Sequence, residues 1–273
     1  MKAQSVNHKN AKQLLTPASG FLSGYSHSLN PYAGCAFACS YCYVRQLPVA
    51  LFRNEEWGKW VDVKQNGAAI LKKELVKAKK RGTVTIFMSS ATDPYQPLEY
   101  QERITRSLLE VMVEEQPDFL FVQTRSPLVT RDVDLFQQLA GRIRVSITIE
   151  TDLEEIRKAF TPFAPPIQAR INAIKRIREA GIPVQATVAP LLPSSEAFAR
   201  KLAALADRIC IDDYFMGDGS GGRRTEKLGI RELYKELNLE KWYRREAIQD
   251  FIQQLRHECY DGQIYISQAG FMP

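Results

Sequence analysis

Three cysteines fall within eight residues in the run Asn30-Pro31-Tyr32-Ala33-Gly34-Cys35-Ala36-Phe37-Ala38-Cys39-Ser40-Tyr41-Cys42-Tyr43. Three thiolates this close can converge on one metal centre from a single loop. Their number is informative. A cubane cluster has four irons, so three cysteines leave one iron without a protein ligand, an open position of the kind that reactive metal sites keep. The residues leave one alternative: a zinc knuckle whose fourth ligand comes from His8, His27, His257, Cys210 or Cys259. That reading would make the chain a zinc-stabilised nucleic-acid-binding module without catalysis.

Composition constrains what surrounds such a loop. A chain of 273 residues suits one α/β domain with appendages. Its 45% hydrophobic and 25% charged residues are ordinary for a globular protein and exclude a disordered one. No apolar run approaches the roughly 18 residues of a membrane span. The first twenty residues lack the apolar core and cleavage site of a signal peptide, so the expected location is cytoplasmic. Five cysteines, three of them clustered, argue for a metal site over a disulfide framework. Lysine and arginine outnumber acids by six, a balance that permits a phosphate-bearing partner without requiring one.

The elements that must position the loop alternate from about residue 80 onward. Short β-branched runs predict strands over 26–29, 83–88, 119–124, 143–149, 183–188 and 208–211. Helical patterns lie over 68–80, 100–115, 133–139, 167–180 and 196–206, the fourth stopped by Gly181. This is the order of βα units on a parallel sheet, with too few units to close an eight-fold barrel. Polar residues follow several strands: Ser89, Ser90, Thr92 and Asp93, then Thr124 and Arg125, then Thr148 and Glu150, then Asp212 and Asp213. In such folds reactive groups gather at the carboxyl ends of strands, so these side chains should face one mouth. The glycine-rich stretch 217–222 could be a lid over the barrel mouth but reads better as a linker, followed by helices over 230–237 and 240–257 and an edge strand over 263–267. The expected division is an N-terminal extension over 1–24, the barrel over 25–214, and a glycine-rich loop with a helical appendage over 215–273.

The spacing CX3CX2C, with Tyr41 before the last cysteine, resembles the motif of the radical S-adenosylmethionine (SAM) superfamily. The flanks, His27-Ser28-Leu29-Asn30-Pro31-Tyr32 and Tyr43-Val44-Arg45, resemble its spore photoproduct lyase-like group, also described as DNA repair photolyase-related. So do 90–97, Thr124-Arg125-Ser126, Arg131-Asp132, Ser146-Ile147-Thr148, Arg170 and Val188-Ala189-Pro190, in order. The resemblance implies a partial (β/α)6 barrel of the TIM type. It implies a [4Fe–4S] cluster on Cys35, Cys39 and Cys42, and SAM held by the open iron. Tyr41, Tyr43, Ser90, Arg125 and Ser146 are the expected cofactor contacts. Reductive cleavage of SAM would yield a 5′-deoxyadenosyl radical that abstracts hydrogen from a substrate, with flavodoxin or ferredoxin as reductant.

The substrate is where the resemblance departs. The lyase has a cysteine near the end of its second strand that returns a hydrogen atom to the product, and this chain has Ser90 there. An O–H bond is too strong to serve as a facile hydrogen-atom donor. Cys210, on the sixth strand, could face the interior, although free cysteine is commonly buried as a small hydrophobe. A nucleic acid is among the substrates the resemblance allows. The basic groups at Lys72, Lys73, Lys77, Lys79, Lys80 and Arg81, at Arg223 and Arg224, and at Lys241, Arg244 and Arg245 carry no helix-turn-helix or finger signature. The catalytic residues beyond the cofactor machinery are left unassigned.

Overall fold

The computed structural model describes residues 5–273, so positions 1–4 of the expected N-terminal extension lie outside the described residues. The strands are β1 (Ser5–Lys9), β2 (Leu15–Pro17), β3 (His27–Leu29), β4 (Tyr32–Ala33), β5 (Trp60–Lys64), β6 (Thr85–Met88), β7 (Phe119–Thr124), β8 (Ile143–Thr148), β9 (Val184–Val188), β10 (Ile209–Ile211) and β11 (Ile264–Ile266). Eight of them form one sheet in the order β11-β10-β9-β8-β7-β6-β3-β2. Every pairing in it is parallel except β2 with β3. The fold is therefore α/β with a mostly parallel sheet. All six predicted strands are present and adjacent in sequence order, and β11 extends the sheet where an edge strand was expected.

Alternation along the strands sorts the sheet into two unlike faces. Leu120, Val122, Ile143, Val145, Ile147, Ala186, Ile209 and Ile211 point to the helices and are almost wholly buried in the main core. Their alternates include Gln123, Arg144, Ser146, Thr148, Gln185, Thr187 and Arg208, with Phe87, Phe119 and Phe121 forming an aromatic patch among them, so the other face is largely polar. Helices Gly67–Lys79, Ile104–Glu114, Ile167–Glu179 and Phe198–Leu205 cover the apolar face with Leu71, Leu75, Leu108, Met112, Ile174, Ile177 and Leu202. Burying one such side chain contributes about 1.5–3 kcal/mol, so this face carries much of the stability.

The helix expected over 100–115 is two helices, Glu99–Glu102 and Ile104–Glu114, because Arg103 adopts a left-handed backbone between them. A second sheet, β1-β5-β4, was not anticipated; it pairs residues 55 apart in sequence, Ser5 with Trp60. The C-terminal residues share the same cores. Ile248, Phe251, Ile252 and Leu255 of helix Glu246–Glu258 join the main core, and Phe271 packs with Tyr25, Phe87 and Phe121. No helix among the described residues is long and apolar enough to cross a membrane.

Candidate active site

The cysteine loop leaves β4 at Gly34, whose φ of +82° and crowding by Trp60 admit no side chain: a Cβ there would collide with the Trp60 carbonyl. The loop has few bonds of its own, so its neighbours hold it. Thr92 Oγ1 donates to the Gly34 carbonyl at 2.6 Å, and the Ala36 N–H donates to Gln96 Oε1 at 2.9 Å. The Ser40 N–H donates to the Phe160 carbonyl at 3.0 Å. Asn30 Oδ1 accepts from the N–H groups of Ser90 and Ala91 at 3.1 and 2.8 Å, which ties the loop after β6 to the end of β3.

Cys35 and Cys39 are buried and Cys42 is partly exposed. Burial raises all three thiols above their ordinary range. Asp93 and Cys39 push Cys35 further, Arg125 opposes the rise at Cys39, and Cys42 is pushed up to about 11 by burial and by Cys39. These mutual effects mark the thiols as electrostatic neighbours. As bare thiolates they would repel one another in a dry site; a positive metal centre reverses that balance and deprotonates them. Among the described residues no three His, Cys, Asp or Glu side chains gather as ligands of a single ion. A cubane asks for one thiolate per iron, at wider spacing, and the donor set suits it.

Behind the loop lies a buried charge cluster. Tyr41 donates its hydroxyl to Glu150 Oε1 at 2.7 Å and accepts from Arg125 Nη1 at 3.0 Å. Arg125 also pairs with Glu150, and Arg170 Nη1 donates to Glu150 Oε2 at 2.6 Å. The Arg125 backbone is fixed by Asp93, which accepts its N–H at 2.9 Å and the Thr124 hydroxyl at 2.6 Å. Burial raises the Cys39 thiol; Arg125 and Arg170 lower it while Glu150 and Asp93 raise it further, so two guanidinium groups and two carboxyl groups face this cysteine. The structure thus brings Tyr41 and Arg125 together, and joins Tyr43 to Ser90 through a 2.6 Å bond from the Tyr43 hydroxyl to the Ser90 carbonyl. Ser146 stands in a different network: fully buried, it shares a 2.6 Å bond with Thr187 Oγ1, and Gln185 links that pair to Arg208.

Glu150, Arg170, Asp93, Asn30 and Gln96 were not among the expected contacts, although two of them, Asp93 and Glu150, sit at strand ends where polar residues had been noted. Cys210 does lie on the polar face, but it is completely buried, its thiol donating to the Ser267 carbonyl at 3.7 Å and its Sγ covered by Gly270.

Fold and site together define an α/β protein whose mostly parallel sheet carries a three-thiol loop and a paired-arginine cluster at its strand ends. Residues 29–205 match the radical SAM superfamily, and the chain belongs to that superfamily. The uncharacterized protein MJ0683 of Methanocaldococcus jannaschii is 34% identical over 183 residues, 67% of this chain and 66% of that protein. The uncharacterized protein ORF301 of Acidianus two-tailed virus is 32% identical over 176 residues, 62% of this chain and 57% of that protein. The matches therefore span 57 to 66% of the length of these relatives. Among solved structures, spore photoproduct lyase complexed with dinucleoside spore photoproduct superposes with a TM-score of 0.65 at 15% identity, covering 96% of this chain and 81% of that one. A variant of that lyase with bound AdoMet and dinucleoside spore photoproduct superposes with a TM-score of 0.63. At this identity the likeness establishes a shared fold.

Proposed function

We propose that the chain is a radical SAM enzyme of the spore photoproduct lyase-like group, with Cys35, Cys39 and Cys42 as the ligands of a [4Fe–4S] cluster. The observation that carries the reading is the trio of electrostatically coupled thiols, two of them buried, on a loop pinned from three sides. When bound, the cluster and SAM supply one-electron cleavage to a 5′-deoxyadenosyl radical, which takes a hydrogen atom from the substrate. The protein's own residues bind and exclude. Tyr41, held by Glu150, and Arg125 form the wall beside Cys39, and the guanidinium suits the carboxylate of SAM. Tyr43 and Ser90 border the loop, and Ser146 belongs to the polar face beneath. The six central parallel strands would form the partial (β/α)6 barrel over 25–214, with 1–24 an N-terminal extension and 215–273 a C-terminal segment. A flavodoxin or ferredoxin would supply the electron, in a cytoplasm that keeps thiols reduced. A nucleic acid is one substrate class this group accommodates.

Anaerobic purification with iron and sulfide tests the reading: it should give a brown protein with about four irons that releases 5′-deoxyadenosine from SAM on reduction. Cys35→Ala, Cys39→Ala or Cys42→Ala should each abolish both properties, because two thiolates cannot hold the cubane. Cys259→Ala should leave them intact, since its thiol bonds only the Leu255 carbonyl of its own helix. A colourless protein with one zinc would overturn the proposal.

A further inference from the structure

The side chains of Arg131 and Asp132 belong to a second buried ion network, separate from that of Glu150. Its carboxylates, Glu99 and Asp132, are wholly buried. Charge this far from water is tolerated only when it is paired and hydrogen-bonded throughout. Arg131 joins the two carboxylates. Its Nη1 donates to the Glu99 carbonyl at 3.0 Å and its Nη2 to Glu99 Oε1 at 2.6 Å, while Nε donates to Asp132 Oδ1 and Nη2 to Asp132 Oδ2, both at 2.8 Å. Arg106 Nη1 adds a bond to Asp132 Oδ1 at 2.9 Å, and Glu99 Oε2 accepts the Thr105 N–H at 2.9 Å. A planar guanidinium fork can span both acids at once; an ammonium, a point charge on a flexible stem, cannot.

Two phenols extend the network toward the cysteine loop. Tyr32 of β4 donates to Glu99 Oε2, and Tyr95 donates to Asp132 Oδ2 at 3.0 Å. Burial first, and then the adjacent carboxylate, push both phenols above their ordinary range, so both stay donors. Tyr32 lies three residues before Cys35, and Tyr95 adjoins Gln96. Gln96, itself wholly buried, makes the last link. Its backbone carbonyl accepts the Glu99 N–H at 2.9 Å, its Oε1 accepts the Ala36 N–H at 2.9 Å, and its Nε2 donates to the Gly34 carbonyl at 3.4 Å. Gly34 and Ala36 flank Cys35, so Gln96 holds the chain on both sides of that thiol.

We propose that Arg131 is a positioning residue for the cysteine loop, a step that rests on the reading of Cys35 as a cluster ligand. Arg131 fixes Glu99, Glu99 fixes Gln96, and Gln96 sets the course of 34–36 and with it the direction in which Cys35 presents its sulfur. Groups that orient a metal ligand from behind change the affinity or activity of the site by about 10–100-fold when they are lost. The same network stabilises the fold. A role in stability alone, however, would leave the site unaltered in every molecule that has folded, and that difference separates the two roles.

Three variants test it: Arg131→Lys keeps the charge and loses the fork, Tyr95→Phe removes one donor to Asp132, and Gln96→Leu cuts the last link. Each is loaded anaerobically with iron and sulfide. SAM binding is then measured by equilibrium dialysis, and the reduced cluster by electron paramagnetic resonance with and without SAM. All three should hold about four irons, because the thiolates are untouched. They should bind SAM about tenfold more weakly and show an altered resonance in its presence, Tyr95→Phe the least. Adding Arg131→Lys to Gln96→Leu should change little beyond Gln96→Leu alone, since both break one chain of contacts. Variants with a lowered Tm but wild-type affinity and resonance would overturn the inference. Losses that add in the double variant would do so too, because Arg131 would then act by another route. Should Arg131→Lys yield no folded protein, Tyr95→Phe and Gln96→Leu decide the matter on the same readouts. A wild-type chain that takes up zinc in place of iron would overturn the cluster reading and this inference with it; an iron-loaded, SAM-binding chain indifferent to the variants would overturn this inference alone.

Discussion

One carboxylate, that of Glu150, receives hydrogen bonds from Tyr41, Arg125 and Arg170 at once. Burial opposes its charge, but Arg170 and Arg125 outweigh burial and hold the carboxyl at about 2, below its ordinary 4.5. Glu150→Gln should therefore do more than remove one bond: it leaves two buried guanidinium groups without a counter-charge, at a cost of about 3–5 kcal/mol. The pH dependence follows from the sign of the shift. A lowered carboxyl adds stability that is fully present above 4.5 and is lost as pH falls toward 2, so the gap between wild type and variant should be wide at neutral pH and shrink across that window. Denaturant unfolding of both proteins over that range checks it; a gap that does not vary with pH would mean that Glu150 is not ionised through its arginines. Ser90 sets a different limit. Its backbone is pinned by Asn30 and Tyr43, and under the proposed lyase-like reading its hydroxyl would take the place of a hydrogen-donating thiol. The wild-type chain should convert little or no spore photoproduct DNA to repaired thymines. Ser90→Cys should raise that yield if DNA is bound and only the donor is missing, and change nothing if DNA is not a substrate. Efficient repair by the unmodified protein, measured by chromatography of digested product, would remove this role for Ser90.

Among the elements, the C-terminal strand and the short 3-10 helix Ser267–Phe271 close one part of the polar face. The Phe271 ring lies 6.1 Å from Phe121, 6.3 Å from Phe87 and 5.6 Å from Phe21, and Gly270 covers the Cys210 thiol so closely that a Cβ would collide with it. Truncation after Asp261 should thus cost at least the roughly 3–5 kcal/mol of an excised buried phenylalanine, and should lower the Tm. It should also open Cys210 to thiol reagents that leave it untouched in the full chain; mass spectrometry of labelled peptides reads this, and a Cys210 that stays protected would show that other residues seal it. None of this closure was legible in the sequence beyond the edge strand itself, because Phe271 is a lone aromatic near a terminus with no periodicity to assign it. Five of the six parallel strands were legible because each is a short run with apolar alternates between helical stretches, buried on the helix side, whereas β3, His27-Ser28-Leu29, gave only a weak signal. The small sheet was not: β5 carries Asp62 and Lys64, and its partner β1 lies 55 residues away, a pairing that no local pattern encodes. Helix Glu154–Phe160 escaped for its shortness, although the Phe160 carbonyl anchors the cysteine loop at Ser40.

At the scale of the whole molecule the same asymmetry holds for the site. Three candidate ligands in eight residues can be read from spacing, whereas Glu150 meets Tyr41 across more than a hundred residues of chain, with Arg170 on its other oxygen, and these become partners only when the sheet is assembled. Asp212 is the counterpart of Glu150 in the molecule's response to pH. It ends β10, takes the Asp213 N–H at 2.9 Å, and lies so close to Gly217 that a Cβ there would strike its carboxylate. Burial raises its carboxyl to about 7; the Asp213 N–H and the Ser267 hydroxyl oppose the rise, and the charges of Asp213 and Asp218 add to it. In the folded protein Asp212 therefore keeps its proton up to about pH 7, while the unfolded chain releases it near 3.8. Stability falls as pH rises through that interval and then levels, by as much as about 4 kcal/mol in all. Glu150 withdraws stability below 4.5 and Asp212 above 3.8, so together they draw the optimum toward mildly acidic pH. Asp212→Asn keeps the shape and removes the ionisation. Its advantage over wild type should grow between pH 4 and pH 8 and move the optimum of the denaturation midpoint upward. A midpoint difference that stays constant across this range would mean that Asp212 is already ionised in the folded protein, through a partner other than those that surround it here.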